Sequence, residues 1–316
     1  MQLKYIEHTE ALSLLYVELF KNKPKSVTTL PKSGSGRIYF RIEGKTESVI
    51  GAFNADINEN KAFFELTNHF ASKGLNVPKL LAISSNQQYY LISDLGNDTL
   101  FSMLSCHLEN SEYNEQMMTL FKSTLTHLVD FQIKASVGLD YSVCYPKEVF
   151  DRRSVMWDFN YFKYSFLKPV GAIFDEDKLE DDFETFTNYL LDDDMDCFQY
   201  RDFQSRNIMV KNNELFFIDY QGGRRGSCLY DVASFIYQAK AAIPQSQRDT
   251  LFNYYLETLN SRKEVNVNRL RERFPVFVLF RIIQTLGAYG YRGYFDGKTH
   301  FIQSIPPAIE NLSQVL

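Results

Sequence analysis

A polar loop set between apolar segments and followed by a tight hairpin is the feature that most constrains how this chain folds. The loop spans residues 201–206, and the apolar segment after it begins at Asn207. That segment ends at residues 211–213, where two asparagines predict a tight turn because asparagine tolerates positive φ. The next apolar segment ends at Asp219. The pattern predicts an antiparallel hairpin in which Asp219 lies beside Asn207.

Three oxygen-bearing side chains of this region have the chemistry of phosphoryl transfer. Asp202, in the loop, can orient and deprotonate an acceptor hydroxyl. Asn207 and Asp219 can supply oxygen ligands to the magnesium ions that hold nucleotide phosphates. The alternative is that each has an ordinary role, as a turn cap, a strand start and a strand-end carboxylate. Their joint occurrence around one apolar hairpin favours phosphoryl transfer.

Composition narrows the classes of protein to consider. With 316 residues, 45% of them hydrophobic, the chain can bury an ample core as one large domain or two lobes. A net charge of -5 argues against a general binder of nucleic acids or acidic membranes. The four cysteines lack a zinc-binding spacing, which favours a reducing compartment. A polar N-terminus and the lack of a bilayer-length apolar segment predict a soluble cytoplasmic protein.

Strand-like segments are concentrated in the first third of the chain, and helical patterns dominate the rest. A helix predicted over residues 4–22 has five apolar residues on one face: Ile6, Leu12, Leu15, Leu19 and Phe20. A late helix over residues 265–288 is predicted to break near Pro275. This organisation predicts an α+β protein of two lobes with a cleft, residues 1–95 and residues 96–316.

A short turn that contains glycine is the first candidate for contact with phosphate. Gly34, Ser35 and Gly36 lead into a strand that begins at Arg37. Glycine lets backbone N–H groups approach a phosphate closely. No Gly-Lys-Ser/Thr follows, which excludes a Walker loop, and Tyr39 occupies the third glycine position of a dinucleotide fingerprint. A plain hairpin turn remains the alternative to a loop that covers phosphates.

A hinge between the lobes is the second candidate for nucleotide contact. The apolar segment 91–92 is followed by Ser93, Asp94, Leu95 and a glycine. The backbone groups of Ser93 and Leu95 can present a donor and an acceptor to the edge of an adenine base. An ordinary strand that ends in a glycine turn would have the same sequence.

A lysine is missing where kinases commonly place one to pair with phosphate. The predicted third strand, residues 48–53, contains none. Arg37 and Arg41 share one face of the preceding strand, so either arginine can substitute, and surface solvation of both is the alternative. Glu59 and Glu65 are the candidates for a helix-borne partner, although solvent-facing positions also explain them.

The acceptor of the phosphate is predicted to be small. Only twelve positions separate Asp219 from Asp231, which leaves no room for the activation segment that cradles a peptide in protein kinases. The aromatic segment 157–162 either lines an acceptor pocket or packs in a helix core. Asp231 fits a helix N-cap, and a buried carboxylate at that position can also hold the backbone of the catalytic loop.

Several of these stretches together resemble the aminoglycoside phosphotransferase and choline kinase superfamily over nearly the whole chain. Within it, the chain is most similar to bacterial kinases that phosphorylate N-acetylmuramate or N-acetylglucosamine at the anomeric hydroxyl. The residues that carry this resemblance are Ser35-Gly36-Arg37-Ile38-Tyr39-Phe40-Arg41, Asp94-Leu95-Gly96, Arg201 to Asn207, Ile218-Asp219-Tyr220-Gln221, Asp231-Val232-Ala233, Leu286-Gly287 and Gly297-Lys298. Two departures are Tyr200, where the family usually has histidine, and Gln204, where histidine is frequent among the sugar kinases.

The resemblance implies a bilobal, protein-kinase-like fold and an ATP- and Mg²⁺-dependent transfer of phosphate to a small molecule, most simply a sugar hydroxyl. Asp202 is then the base, and Asn207 and Asp219 are the metal ligands. Two alternatives remain open. The missing lysine and Tyr200 favour a catalytically silent nucleotide-binding sensor, and an aminoglycoside or choline kinase would require a pocket that selects cations.

Overall fold

A five-stranded antiparallel sheet and a mainly helical region make up this chain, in agreement with the predicted α+β class. The computed structural model describes residues 5–31, 36–104, 106–192 and 196–316. The chain divides into two compact units. The sheet unit comprises Met1–Thr99, Val143–Pro146 and Asn207–Gly222, and the helical unit comprises Leu100–Ser142, Lys147–Arg206 and Gly223–Leu316. The hairpin therefore belongs to the sheet unit, while the lobe boundary after residue 95 stays a prediction.

The elements alternate strands and helices first and are then largely helical. The first seven are α1 (Ile6–Phe20), β1 (Ser26–Thr29), β2 (Ile38–Glu43), β3 (Ser48–Phe53), α2 (Ile57–Ser72), β4 (Leu80–Ile83) and β5 (Tyr89–Ser93). The middle elements are α3 (Leu100–Leu104), β6 (Leu108–Glu109), β7 (Glu112–Tyr113), α4 (Glu115–Lys134), α5 (Arg152–Phe162) and α6 (Glu176–Leu191). The last are β8 (Cys197–Gln199), β9 (Ile208–Lys211), β10 (Glu214–Phe217), β11 (Arg224–Gly226), α7 (Leu229–Ile236), α8 (Gln245–Arg262), α9 (Val267–Gly290), α10 (Thr299–Ile302) and α11 (Ile305–Val315).

The sheet has the strand order β1-β2-β3-β5-β4, and α1 covers one of its faces. Leu12, Leu15 and Tyr16 of α1 pack against apolar side chains of three strands: Phe40, Ile42, Val49, Tyr89 and Leu91. Gly51 allows this close approach, since a Cβ there would lie 2.9 Å from a methyl group of Leu12. The buried face is narrower than predicted, because Ile6 and Leu19 are 46% and 39% exposed.

The helix α9 forms the centre of the helical unit and packs against α5, α7 and α11. It runs unbroken through Pro275, so the predicted break is wrong. Phe274 and Phe277 on either side of the proline are buried, and their packing offsets the backbone hydrogen bond that proline removes. Gly290 lets α9 approach the segment after α5, because a Cβ would lie 2.1 Å from the carbonyl oxygen of Ser165. Across the described ranges, no helix is long and apolar enough to cross a lipid bilayer.

We expect Leu12→Ala to lower the free energy of unfolding by about 3 kcal/mol, because it leaves a cavity between α1 and the sheet. Leu12 is fully buried, whereas Leu14, two positions along the same helix, is 66% exposed. The matched control Leu14→Ala should therefore change stability by less than about 0.5 kcal/mol. Urea unfolding of both variants measures this difference, and equal losses would show that α1 does not pack on the sheet.

Candidate active site

The hairpin of the sheet unit has the predicted geometry. In the register of β9 and β10, Ile208 lies opposite Phe217, and the turn residues Asn212 and Asn213 have φ angles of 52° and 63°. Beyond the last paired residues, the N–H of Ile218 donates to the carbonyl oxygen of Asn207 at 3.0 Å. The side chain of Asn207 then donates from Nδ2 to Oδ2 of Asp219 at 3.4 Å. The predicted approach of these two side chains is confirmed.

Asp219 has a strained backbone that its neighbours hold in place. Its φ angle is 69°, in the left-handed region that non-glycine residues rarely adopt, and its side chain is exposed. The next residue, Tyr220, is fully buried, with its hydroxyl 2.6 Å from Oγ1 of Thr67 and its ring stacked on Phe63. Gln221 donates from Nε2 to Oδ1 of Asp219 at 2.8 Å. The buried Tyr220 therefore fixes the backbone next to Asp219, and Gln221 orients the carboxylate of Asp219.

Buried Arg37 and partly buried Glu59 form an ion pair in the sheet unit. Nη2 of Arg37 lies 3.2 Å from Oε1 of Glu59, and the arginine side chain is 1% exposed. Asn54 donates to Oε2 of Glu59 at 2.7 Å, and Nε2 of Gln221 lies 3.4 Å from Oε1. Gln221 therefore connects this ion pair to Asp219. Between the two arginines and two glutamates that the sequence left open, the structure pairs Arg37 with Glu59.

The hydroxyl of Tyr39 joins this network electrostatically. It accepts a hydrogen bond from Nη1 of Arg37 at 3.2 Å. The pKa of Tyr39 is raised, because burial and the charge of Asp219 raise it by more than the charge of Arg37 lowers it. Burial alone would lower the pKa of Arg37, but Tyr39, Tyr90 and Glu59 outweigh that effect and raise it. The guanidinium group therefore stays charged beside the candidate metal ligands.

The residues of the predicted hinge lie at the end of β5. The N–H of Ser93 donates to the carbonyl oxygen of Lys79 at 2.9 Å, and its hydroxyl accepts from the N–H of Lys79 at 3.0 Å. Leu95 is buried. Both predicted base-contacting residues line a cavity of about 270 Å³ in the sheet unit, together with Val77, Lys79, Lys211, Asn212, Glu214 and Phe216.

In the helical unit, a buried carboxylate holds the catalytic loop. Asp231 is completely buried, and its carboxylate accepts the N–H groups of Tyr200 and Arg201 at 2.6 and 2.9 Å. It occupies the third position of α7, whose N-cap is Cys228, so the predicted capping role is wrong. The predicted role in holding the loop backbone is confirmed.

Arg201 adopts a φ angle of 77° directly before the candidate base. Its guanidinium pairs with Asp158 at 3.0 Å and lies over the rings of Phe150 and Tyr230. These contacts and the bond to Asp231 stabilise a backbone conformation that non-glycine residues rarely adopt. Strain of this kind is concentrated at functional sites in proteins.

Asp202 itself is exposed, with 56% of its side chain accessible. Nη2 of Arg281, on α9, lies 3.9 Å from its Oδ1, so a positive charge faces the carboxylate. Farther along the loop, Gln238 accepts hydrogen bonds from the N–H and the hydroxyl of Ser205 at 3.1 and 2.6 Å. The loop is therefore anchored at both ends while Asp202 remains accessible.

Tyr200, which stands where the family usually has histidine, is a packing residue. Its side chain is 1% exposed, and its ring meets those of Phe131 and Phe203 edge-on at 5.5 and 5.3 Å. A large aromatic ring fills this part of the core without using imidazole chemistry. The replacement therefore leaves the adjoining loop well supported.

The sequence did not predict that four basic residues, Arg206, Lys240, Lys298 and His300, would interact with one another. Burial lowers the pKa of His300, and the positive charges of Lys240, Arg206 and Lys298 lower it further. Asp296 lies 3.8 Å from Lys298, but no ion pair joins Arg206, Lys240 or His300 to a carboxylate of the described residues. Arg206 and Lys240 lie 34 positions apart in the sequence, and Lys240 and Lys298 lie 58 positions apart, so a search for local runs of charge does not reveal the group.

The predicted phosphate-contacting turn lies partly outside the described residues. Gly34 and Ser35 lie outside the described residues, whereas Gly36 is exposed with open space where a Cβ would project. In the predicted aromatic segment, Phe159 and Phe162 are buried and Trp157 is 50% exposed. The segment therefore contributes mainly to the core, and Trp157 faces solvent.

The residues present fit a magnesium ion that keeps most of its other ligands as water and phosphate. Within the described ranges, no three histidine, cysteine, aspartate or glutamate side chains are grouped as a closed metal site. Asp219 supplies a carboxylate, and Asn207, whose Nδ2 lies 3.4 Å from that carboxylate, also carries an amide oxygen. Mg²⁺ in nucleotide enzymes is commonly held by one or two such side chains together with substrate phosphates.

We expect the stability conferred by Asp231 to fall as the pH rises. Burial raises its pKa from 3.8 to about 7, although the N–H groups of Tyr200 and Arg201 and the charges of Arg201 and Arg281 oppose this. Between these two values the native protein binds more protons at Asp231 than the unfolded chain, so unfolding becomes easier with increasing pH.

The variant Asp231→Asn cannot lose this proton. Urea unfolding at about pH 5 and about pH 8 should therefore show that wild type loses stability relative to Asp231→Asn on going to the higher pH. The exposed-site control Asp249→Asn should follow wild type at both values. A constant difference between wild type and Asp231→Asn would contradict the raised pKa.

Comparison with known proteins identifies relatives of this chain. A family model described as the phosphotransferase enzyme family matches residues 26–265. An N-acetylmuramate/N-acetylglucosamine kinase of Pseudomonas aeruginosa is 23% identical over 236 residues, which are 73% of this chain and 65% of that protein. The chain thus spans slightly less than two thirds of that relative. The protein of the same name from Pseudomonas putida is 20% identical over 92% of this chain and 84% of its own length.

Among solved structures, the choline kinase LicA from Streptococcus pneumoniae has the same fold. Its TM-score is 0.66 at 12% sequence identity, and the match covers 98% of this chain and 99% of that one. This likeness confirms the protein-kinase-like fold class. Since the family model matches well over half of the sequence, the chain belongs to the phosphotransferase enzyme family.

Proposed function

We propose that this protein is an ATP- and Mg²⁺-dependent kinase that transfers the γ-phosphate to a hydroxyl group of a small sugar. The observation that carries the proposal is the connected set of side chains in the sheet unit. Asn207 and Asp219 lie side by side, and Gln221 connects Asp219 to the ion pair of Arg37 and Glu59. Oxygen ligands for a metal and a fixed positive charge are the two requirements for holding nucleotide phosphates.

Asp219 and Asn207 would hold the metal ion through a carboxylate and an amide oxygen. When bound, Mg²⁺ neutralises charge on the phosphate oxygens. Gln221 orients Asp219, and the charge of Arg37 is available to a phosphate in the place of the missing strand lysine. Gly34, Ser35 and Gly36 would cover the phosphates through their backbone N–H groups.

Asp202 is assigned as the general base. It accepts the proton of the acceptor hydroxyl as that oxygen bonds to the γ-phosphorus, while the bond from phosphorus to the β–γ bridging oxygen breaks and ADP leaves. Arg281 keeps a positive charge 3.9 Å from Asp202, and Asp231 fixes the loop that carries it. Most of the rate enhancement then comes from positioning and charge neutralisation, because the transition state of phosphoryl transfer is loose.

The adenine base is assigned to the backbone of Ser93 and Leu95 at the end of β5. In this proposal, residues 1–95 act as the nucleotide-binding lobe together with the metal ligands of the hairpin, and residues 96–316 supply the base and the acceptor site. The crystal structure of LicA in complex with AMP shows that a protein of this fold binds an adenine nucleotide. That observation supports ATP as the donor.

The charges of the helical unit favour a neutral or acidic acceptor over a cationic one. Arg206 lies in the loop 201–206; its charge acts on Lys240, and the charges of Lys240, Arg206 and Lys298 all act on His300. An aminoglycoside or choline carries positive charge and would be repelled by this surface. The amino-sugar substrates named for the Pseudomonas relatives are compatible with it, which supports a sugar of that class.

Two observations oppose the alternative of a catalytically silent nucleotide sensor. The lysine that the third strand lacks has a counterpart in Arg37, which already pairs with a glutamate of α2. Tyr200 replaces histidine as a packing residue, and the loop after it remains fixed by Asp231. Neither departure from the family pattern therefore removes a group that transfer requires.

Replacing Asp202 should separate binding from turnover. We expect Asp202→Asn to retain Mg²⁺-dependent stabilisation by ATP while its kcat falls by about 10²–10⁴-fold, since it cannot accept the acceptor proton. Asp219→Ala should lose the Mg²⁺-dependent part of that stabilisation. ADP release with N-acetylmuramate and N-acetylglucosamine as acceptors, and thermal shift with ATP, measure the two effects. Release by Asp202→Asn at the wild-type rate, or activity restricted to choline and aminoglycosides, would refute the assignment.

Variants of Arg37, Glu59 and Glu65 test whether Arg37 replaces the missing lysine and whether Glu59 is its partner. Arg37→Met should lower kcat/KM for ATP by about 10²–10³-fold, because a preorganised charge at the phosphates is lost. Glu59→Gln should also reduce it, whereas Glu65→Gln, on an exposed position of the same helix, should not. Partial activity in Arg37→Lys would show that the charge is required, and equal effects of the two glutamate variants would contradict the pairing.

A further inference from the structure

The side chain of Arg41 forms hydrogen bonds from the sheet to the predicted hinge, here residues 93–97. It lies on β2, opposite Ile50 of β3, and two positions along the same strand from Tyr39. Its Nε donates to Oδ2 of Asp94 at 2.7 Å, and its Nη2 donates to Oδ1 at 3.1 Å. A guanidinium that binds both oxygens of one carboxylate fixes orientation as well as distance.

The same guanidinium holds the hinge backbone beyond Asp94. Nη2 also donates to the carbonyl oxygen of Gly96 at 3.0 Å, and Nη1 donates to Oδ1 of Asn97 at 2.7 Å. One side chain of β2 therefore reaches three of the four residues from Asp94 to Asn97. A loop bound this way loses most of its freedom to shift relative to the strand.

Every oxygen of Asp94 is engaged. Its carboxylate accepts the hydroxyl of Ser48 at 2.6 Å and the N–H of Gly96 at 2.9 Å in addition to the bonds from Arg41. Its carbonyl oxygen accepts Nζ of Lys211 at 2.7 Å. Burial would raise the pKa of Asp94, but the hydrogen bonds from Arg41 and Ser48 outweigh it and lower the pKa. The group therefore remains an acceptor over the physiological range.

The two residues proposed to contact the base stand on either side of Asp94. Adenine presents an acceptor nitrogen next to an amino donor, and a backbone N–H with a nearby carbonyl oxygen matches this pattern only at a fixed spacing. Guanine presents the opposite order, with a carbonyl acceptor next to a ring N–H donor. A hinge free to shift would satisfy both bases partly, whereas a fixed one discriminates.

We propose that Arg41 is a positioning residue that fixes the backbone of Ser93 and Leu95 through Asp94 and thereby sets the preference for adenine over guanine nucleotides. This inference rests on the proposed function, because it assigns the donor base to that backbone. Arg41 acts on binding of the donor and takes no part in proton transfer, so its effect is confined to the nucleotide.

The experiment compares Arg41→Met, Arg41→Lys and a matched control. Arg41→Met should raise the KM for ATP about tenfold, a loss of one charge-assisted bidentate contact, while kcat and the KM for the sugar change less than about twofold. The ratio of kcat/KM for ATP to that for GTP should fall as well. Arg41→Lys keeps the charge but cannot bind both oxygens, so it should show an intermediate ratio. Arg262→Met, which removes an exposed ion pair with Asp130, should leave all of these values unchanged.

Two outcomes would overturn the inference. If Arg41→Met lowers the temperature of unfolding but leaves the KM for ATP and the ATP-to-GTP ratio at wild-type values, the contact is only a structural tie. If kcat falls as much as KM rises, Arg41 acts on chemistry.

Thermal shift titrations with ATP and with GTP, without any acceptor, distinguish failure of this inference from failure of the proposed function. Selective stabilisation of wild type by ATP that is lost in Arg41→Met supports the positioning role even if no sugar is phosphorylated. Equal stabilisation of wild type by both nucleotides, or by neither, would overturn it.

Discussion

The sheet unit depends on how the charge of Glu59 is satisfied. A carboxylate held mostly away from water is costly unless charged and polar partners surround it. Here Arg37 of the segment before β2, Asn54 after β3 and Gln221 after the hairpin all approach it. Three segments distant in sequence are therefore held together by their contacts with one partly buried carboxylate, and Gln221 also orients Asp219.

In the helical unit, the carboxylate of Asp231 likewise holds distant segments together through hydrogen bonds. That carboxylate has no solvent access and accepts two consecutive backbone N–H groups at the start of the catalytic loop. In both units, a residue in the left-handed region is stabilised next to such a network, Arg201 in one and Asp219 in the other. Each costs of order 1–3 kcal/mol, and the surrounding contacts make that conformation the stable one. The strain places the side chains of Asp202 and Asp219 where solvent and ligands reach them.

The sequence predicted the hairpin correctly because its determinants are local. Two strongly apolar segments form the strands, and two asparagines at positive φ form the turn, so the approach of Asp219 to Asn207 follows from a few neighbouring residues. Local sequence could not show which arginine, Arg37 or Arg41, pairs with a glutamate of α2. The alternation of side chains predicts both arginines on one strand face, whereas their different partners, Glu59 and Asp94, come from distant segments.

Tertiary packing also explains where local rules failed. Proline predicts a break in a helix, but α9 continues through Pro275 because the aromatic side chains beside it are buried in the helical unit. Asp231 has the residue type of an N-cap, yet α7 begins earlier and turns its carboxylate toward the loop. In both cases contacts between distant elements outweighed a preference that belongs to a few residues.

Under the proposed function, charge rather than fold determines which acceptor the protein takes. The chain shares its fold with a choline kinase at 12% identity, so the arrangement of elements leaves the acceptor open. Arg206 lies within the catalytic loop, five residues after Arg201 and directly before Asn207, and its charge is felt by Lys240 and His300. A cation approaching this loop would meet repulsion at the point where its hydroxyl must be deprotonated. An acceptor without positive charge meets none, and an acidic one would be attracted. In this proposal, the acceptor class depends on a few side chains that the shared fold does not specify.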